Sequence, residues 1–135
     1  MSNISEKAVI SPNAKIGKNV TIYPFVYIED DVVIGDDCII YPYVSLMNGT
    51  RMGKANRIHQ NTVISAIPQD FNYRGGKTVC EIGDGNIIRE NVVINRATYE
   101  DGKTLIGNHN FLMEGVHISH DVHMGNENVL GYGTK

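Results

Sequence analysis

Tryptophan is missing from the 135 residues, phenylalanine occurs three times, and there are two cysteines and four prolines. Two cysteines build no disulfide framework, and Cys38 and Cys80 fit a reduced cytosol, so a cytoplasmic location is expected. No apolar run approaches the roughly 18 residues of a membrane span. The N-terminal segment MSNISEKAVISPNAKIG lacks a basic region followed by an apolar one, which argues against a secretory signal. Neither charge sign dominates: the net charge is −3, and the 12 Lys and Arg are scattered. Nucleic acid and anionic membranes are therefore poor candidates for the main partner. The apolar content is mostly Ile and Val, residues that favour strands.

Those aliphatics recur with a period of six. Ile4, Ile10, Ile16, Ile22, Ile28, Ile34, Ile40, Leu46, Met52, Ile58 and Ile64 form one series. The same register resumes at Ile82, Ile88 and Ile94, then at Ile106, Leu112, Ile118, Met124 and Leu130. Only Asp70, Gly76 and Glu100 interrupt it with non-apolar residues. A second series lies two residues earlier: Ala8, Ala14, Val20, Val26, Val32, Cys38, Val44 and Thr50. These are small or β-branched. A period of six fits neither a helix nor a hairpin sheet. It fits a chain that makes a short strand, turns a corner and repeats. Three sides close a triangular coil of 18 residues, with the large aliphatic in the interior and the smaller residue near the corner. The reading is all-β: one left-handed parallel β-helix domain over residues 1–135, about six to seven coils. A β-sandwich would not keep one register for so long. Cys38 and Cys80 both take the near-corner position and are read as packing residues.

Glycines give an independent ruler. Gly17, Gly35 and Gly53 are one coil apart; Gly83 follows after 30 residues, Gly107 after 24 and Gly125 after 18. Two insertions therefore leave the coil, near residues 65–81 and near 95–105. A solenoid keeps insertions outside, where they often form the binding face. Each coil buries about three aliphatics, at roughly 1.5–3 kcal/mol apiece before entropy, so no coil stands without its neighbours. The final NVLGYGTK stops within a repeat, so the last coil is expected to fray or to be covered, or the chain to be a fragment.

The densest polar cluster is His117-Ile118-Ser119-His120-Asp121-Val122-His123. The register points Ile118 inward, His117 and Ser119 outward, and puts His120 and Asp121 at the next corner. Three accounts stand open. The cluster is a solvated surface patch, a metal site, or a general-base site. His and Asp are metal-ligand types, but the spacing matches no helical metal motif. Histidine's ordinary pKa near 6.5 lets its neutral form take a proton from a hydroxyl, and a neighbouring carboxylate would orient it. Asp70 in the first insertion is either a turn residue or a hydroxyl acceptor. Arg89, Asn95 and Arg96, near the second insertion, are candidates for phosphate or subunit contacts.

The segment Ala66-Ile67-Pro68-Gln69-Asp70-Phe71-Asn72-Tyr73 resembles a loop of bacterial UDP-N-acetylglucosamine O-acyltransferases. So do Ile82-Gly83-Asp84, Ile88-Arg89-Glu90, Val93-Ile94-Asn95-Arg96 and Leu112 through Asp121. The resemblance covers essentially the whole chain. It implies transfer of a (R)-3-hydroxyacyl chain from acyl carrier protein to the 3-hydroxyl of UDP-N-acetylglucosamine, the first step of lipid A synthesis. It implies His120 as general base, Asp121 as its support, and sugar contacts from Asp70 and His117. Gln69, Asn72 and Asn95 join them as substrate-contact candidates. The family commonly has a basic residue at the position of Asn72 and often a His at that of Asn95. It further implies a homotrimer with the site between subunits, no metal and no cofactor. Family chains are longer, with further coils and a C-terminal helical domain. A related acyltransferase acting on an amino sugar, and a non-catalytic β-helix, are the rival readings.

Overall fold

The computed structural model describes residues 2–134. Nineteen short strands among them make three parallel sheets, and successive strands visit the three sheets in turn. The first sheet holds β1 (Asn3–Ile4), β4 (Thr21–Ile22), β7 (Ile39–Ile40), β10 (Arg57–Ile58), β13 (Ile87–Ile88), β16 (Phe111–Leu112) and β19 (Val129–Leu130). The second holds β2 (Val9–Ile10), β5 (Tyr27–Ile28), β8 (Ser45–Leu46), β11 (Val63–Ala66), β14 (Val93–Asn95) and β17 (His117–Ile118). The third holds β3 (Lys15–Ile16), β6 (Val32–Ile34), β9 (Thr50–Met52), β12 (Val79–Ile82), β15 (Lys103–Ile106) and β18 (His123–Met124). The fold is the expected left-handed parallel β-helix. Thr21 pairs with Ile39 at the coil spacing of 18, Arg57 with Ile87 across the first insertion, and Ile87 with Phe111 across the second.

The period-six aliphatics form the core. Ile22, Ile28, Ile34, Ile40, Leu46, Ile58, Ile64, Ile88, Ile94, Ile106 and Leu112 are all essentially inaccessible. The near-corner residues are buried with them, including the free thiols of Cys38 and Cys80. One stretch of that second series departs from an apolar core. Asn56, Asn86 and Asn110 are buried at successive coils of one corner. A buried amide is tolerated only when its groups are paired, and here they are. Asn86 donates from Nδ2 to Gly107 O at 2.9 Å and accepts the Asn110 N–H at 2.8 Å; its own N–H meets Asn56 Oδ1 at 2.8 Å.

Corners set the backbone. Most turn through a residue at positive φ, three positions before an aliphatic, as at Asn19, Asp37, Asn61, Asn91 and Asp121. Asn and Asp tolerate this left-handed conformation best after glycine. The glycine ruler has another cause. A Cβ on Gly53 would strike Asp84 of the next coil, whose Oδ1 accepts the Lys54 N–H at 2.8 Å. The missing side chain is room for a carboxylate that ties one coil to the next.

The insertions are residues 67–78, between β11 and β12, and residues 96–102, between β14 and β15. Both leave the edge where the second sheet turns into the third. The turn from β17 to β18, which carries His120 and Asp121, is the same edge one coil further on.

Candidate functional site

That shared edge brings Asp70, Thr98, His120 and Asp121 together. Asp121 turns the corner at φ 64°, and its N–H donates to the buried Thr104 Oγ1 at 2.8 Å. The corner geometry folds its carboxylate back on its neighbour: His120 Nδ1 lies 2.8 Å from Asp121 Oδ2. A carboxylate acceptor at this distance favours the ring proton on Nδ1. Thr98, almost wholly buried in the second loop, sends its backbone N–H to the same Asp121 oxygen at 3.2 Å. Its hydroxyl lies 3.0 Å from His120 Nδ1 and donates to Asp70 Oδ2 at 3.1 Å. On the other side of the ring, Nε2 faces Asp70 Oδ2 at 3.8 Å, beyond hydrogen-bond length.

Asp70 is held by its own loop. Its Oδ1 accepts the Asn72 N–H at 2.9 Å, and its carbonyl accepts the Tyr73 N–H at 3.0 Å. The Asn72 N–H, followed by the Thr98 hydroxyl and the nearby His120 ring, holds the carboxyl below its usual range, against a smaller opposing effect of desolvation. Asn72 thus serves Asp70 through its backbone, while its side chain is exposed.

His117 makes a second, separate contact. Its Nε2 lies 2.7 Å from Asn95 Oδ1, and Asn95 Nδ2 donates to Ile67 O at 2.9 Å. Because the amide nitrogen of Asn95 is engaged by a carbonyl, its oxygen faces the imidazole, and His117 Nε2 is the donor. Asn95 is buried and both ends of its amide are engaged, so it ties the first loop to His117 and faces no open space. Gln69 is exposed and, with Asn91, Val93, Gly115 and Val116, borders a cavity of about 220 Å³ beside His117.

The two arginines go elsewhere. Arg96 spends its guanidinium on Asn48 O, Ser65 O and the Tyr73 hydroxyl, bracing the first loop. Arg89 pairs with Glu90 on another corner of the coil. Among the described residues no three His, Cys, Asp or Glu side chains are grouped so as to hold a metal ion. Thr98 and Thr104 carry no signal in the sequence; each matters only because stacking sets it against residues about a coil away. The shared edge itself was readable. Ile64/Ile82, Ile94/Ile106 and Ile118/Met124 occupy the same two sides of the coil, so both insertions and the His-Asp pair must leave between them.

The arrangement anchors one ring nitrogen of His120 and leaves the other without a hydrogen bond, with a carboxylate oxygen 3.8 Å away. The family described as bacterial transferase hexapeptide (six repeats) matches residues 13–46 and 31–66. An acyl-[acyl-carrier-protein]–UDP-N-acetylglucosamine O-acyltransferase of Saccharophagus degradans is 40% identical over 131 residues, covering 96% of this chain and 51% of that protein. One from Chlorobaculum parvum is 47% identical over 121 residues, covering 90% of this chain and 46% of that protein. The crystal structure of a UDP-N-acetylglucosamine acyltransferase from Bacteroides fragilis superposes with a TM-score of 0.94 at 51% identity, over 96% of this chain and 51% of that one. The chain spans about half the length of the curated relatives it matches. It is therefore a hexapeptide-repeat β-helix that, over nearly its whole length, matches about half of a UDP-N-acetylglucosamine O-acyltransferase.

Proposed function

We propose that the chain takes part in acyl transfer from acyl carrier protein to the 3-hydroxyl of UDP-N-acetylglucosamine, the acyl group being a (R)-3-hydroxyacyl chain and the step the first of lipid A synthesis. The observation that carries this reading is His120, anchored at Nδ1 by Asp121 at 2.8 Å with Nε2 left open. In the reaction Nε2 takes the proton of the sugar hydroxyl as its oxygen attacks the thioester carbonyl. The tetrahedral intermediate collapses, the C–S bond breaks, and His120 returns the proton to the departing thiol. Asp121 stabilises the imidazolium formed in between. Asp70, kept ionised, accepts a hydrogen bond from a sugar hydroxyl, and His117 and Gln69 border the adjoining cavity. Asn95 and Asn72 contribute by holding His117 and Asp70.

The working unit in this reading is a homotrimer in the cytoplasm. An outer wall becomes a cleft only when a second surface faces it, and the two free thiols suit a reducing compartment. Light scattering gives the mass, and a monomer alone would remove the trimer.

The test is product formation. The chain is incubated with UDP-N-acetylglucosamine and a 3-hydroxyacyl carrier protein, and 3-O-acylated sugar nucleotide is measured by mass spectrometry. His120→Ala is expected to lower the rate by about 10²–10⁴ with unfolding unchanged. Near-normal turnover in that variant sinks the base assignment. Preference for a 3-amino acceptor sinks the hydroxyl specificity, and binding of the sugar nucleotide without turnover sinks the activity.

A further inference from the structure

The imidazole of His120 sits between two carboxylates. Asp121 Oδ2 is 2.8 Å from Nδ1, and Asp70 Oδ2 is 3.8 Å from Nε2. A ring flanked in this way has two competing places for its single proton in the neutral form. If Asp70 draws the proton to Nε2, the nitrogen that should accept from a substrate hydroxyl becomes a donor. The shorter Asp121 contact tilts the competition toward Nδ1, and the Thr98 hydroxyl touches both sides of it. It donates its one hydrogen to Asp70 Oδ2 at 3.1 Å and has its oxygen 3.0 Å from His120 Nδ1. Because Asp70 can only accept, the hydroxyl hydrogen is committed to it, and the hydroxyl oxygen is left as a second acceptor that shares Nδ1–H with Asp121.

From this geometry we infer that Thr98 is a positioning residue that fixes the tautomer of His120, by satisfying Asp70 with its own hydrogen and accepting at Nδ1. Both effects place the ring proton on Nδ1 and leave Nε2 as the base. The backbone N–H of Thr98 adds to the bias by holding Asp121 Oδ2 at 3.2 Å. Three pieces of chain meet here: Asp70 from the first loop, Thr98 from the second, and the corner of the following coil. Thr98 is the buried group common to all three contacts, being 2% exposed. The inference rests on the proposed role of His120 for its functional meaning, but the tautomer is a property of the folded chain.

The experiment reads the tautomer directly. The ¹⁵N shifts of the His120 ring nitrogens are recorded at a pH where the ring is neutral, in the native chain, in Thr98→Val and in Thr98→Ser. Valine keeps the shape and the backbone N–H and removes only the hydroxyl; serine restores it. The native and Thr98→Ser chains are expected to show Nδ1 protonated. Thr98→Val is expected to show a mixture, with the Nε2-protonated form populated. Where turnover is measurable, kcat should fall about tenfold in Thr98→Val with KM little changed, and Thr98→Ser should recover it. A Thr98→Val ring with the native tautomer, or a Thr98→Ser ring that behaves like valine, overturns the inference. Absence of turnover in the native chain would remove the proposed activity and leave the spectroscopic result standing.

Discussion

Replacing Asn86 by leucine tests whether the buried asparagine corner holds the later coils together. The side chain is fully buried, and leucine keeps its branching with bulkier apolar ends, so the substitution removes the polar groups and adds some volume. Two backbone groups lose their partner: the Asn110 N–H, now 2.8 Å from Asn86 Oδ1, and Gly107 O, now 2.9 Å from Asn86 Nδ2. A buried group left unpaired costs about 1–3 kcal/mol. Against two such groups, the added apolar burial of leucine returns about 1–2 kcal/mol, for a net loss of about 1–4 kcal/mol. The control is Cys38→Val, in the same corner column two coils earlier than Asn86. There Gly53 O keeps the Asn56 amide at 3.1 Å after the Cys38 contact is lost. That swap is expected to cost less than about 1.5 kcal/mol. Urea unfolding followed by circular dichroism gives both numbers, and hydrogen exchange at the Asn110 amide locates the damage. If Asn86→Leu is within about 0.5 kcal/mol of native, or Asn110 exchanges no faster, the corner is not held as described.

Two further outcomes concern titratable groups. Burial pushes the Cys80 thiol up to about 12, so in the native chain it should resist thiol reagents at pH 8 and react only after denaturation; rapid native labelling would contradict its place in the core. A raised folded value means that this contribution to stability is complete below the unfolded thiol's pKa, about 8.5, and is lost as pH rises toward about 12. For Asp70 the sign reverses. Its folded value is depressed, chiefly by the Asn72 N–H, so the stabilisation is present above the ordinary carboxylate value, about 3.9, and is lost as pH falls through the folded value. The Asn72 amide resonance should hold its position at mild acidity and move only below that ordinary value; a transition well above it would deny the hydrogen bond.

Much of the architecture could be read because one physical demand repeats. Each side of the coil must put one large aliphatic inside, so the series from Ile22 to Ile118 spells out the core without reference to any partner, with Ile10, Ile16, Met124 and Leu130 half-buried and Ile4 exposed toward the two ends. The breaks in the register at Asp70, Gly76 and Glu100 mark the two loops for the same reason. The asparagines escaped this reading. Asn56 and Asn86 stand at positions where smaller apolar residues are expected, and their pairing spans 30 residues of sequence and one coil of structure. No local pattern reveals it. The His120–Asp121 contact was open for a similar cause: adjacent residues in a strand point to opposite faces, and only the left-handed turn at Asp121 lets the carboxylate reach back to Nδ1.

The position of the site follows from that turn. A triangular coil needs a residue at positive φ at nearly every corner, and Asp and Asn are the side chains that accept it most readily after glycine. Polar side chains thereby collect on the edges for structural reasons alone. One edge differs from the other two in a single respect: residues 67–78 and 96–102 leave the coil there, in consecutive coils below His120 and Asp121. The first brings Asp70 to the open nitrogen of the ring, and the second brings a buried hydroxyl to the anchored one. A corner aspartate that is present to make a turn becomes the partner of an imidazole only because its neighbour is histidine and the left-handed turn folds its carboxylate back. Deleting either loop should therefore spare the core coils, whose aliphatic series does not pass through it, and disarm the site by removing Asp70 or Thr98.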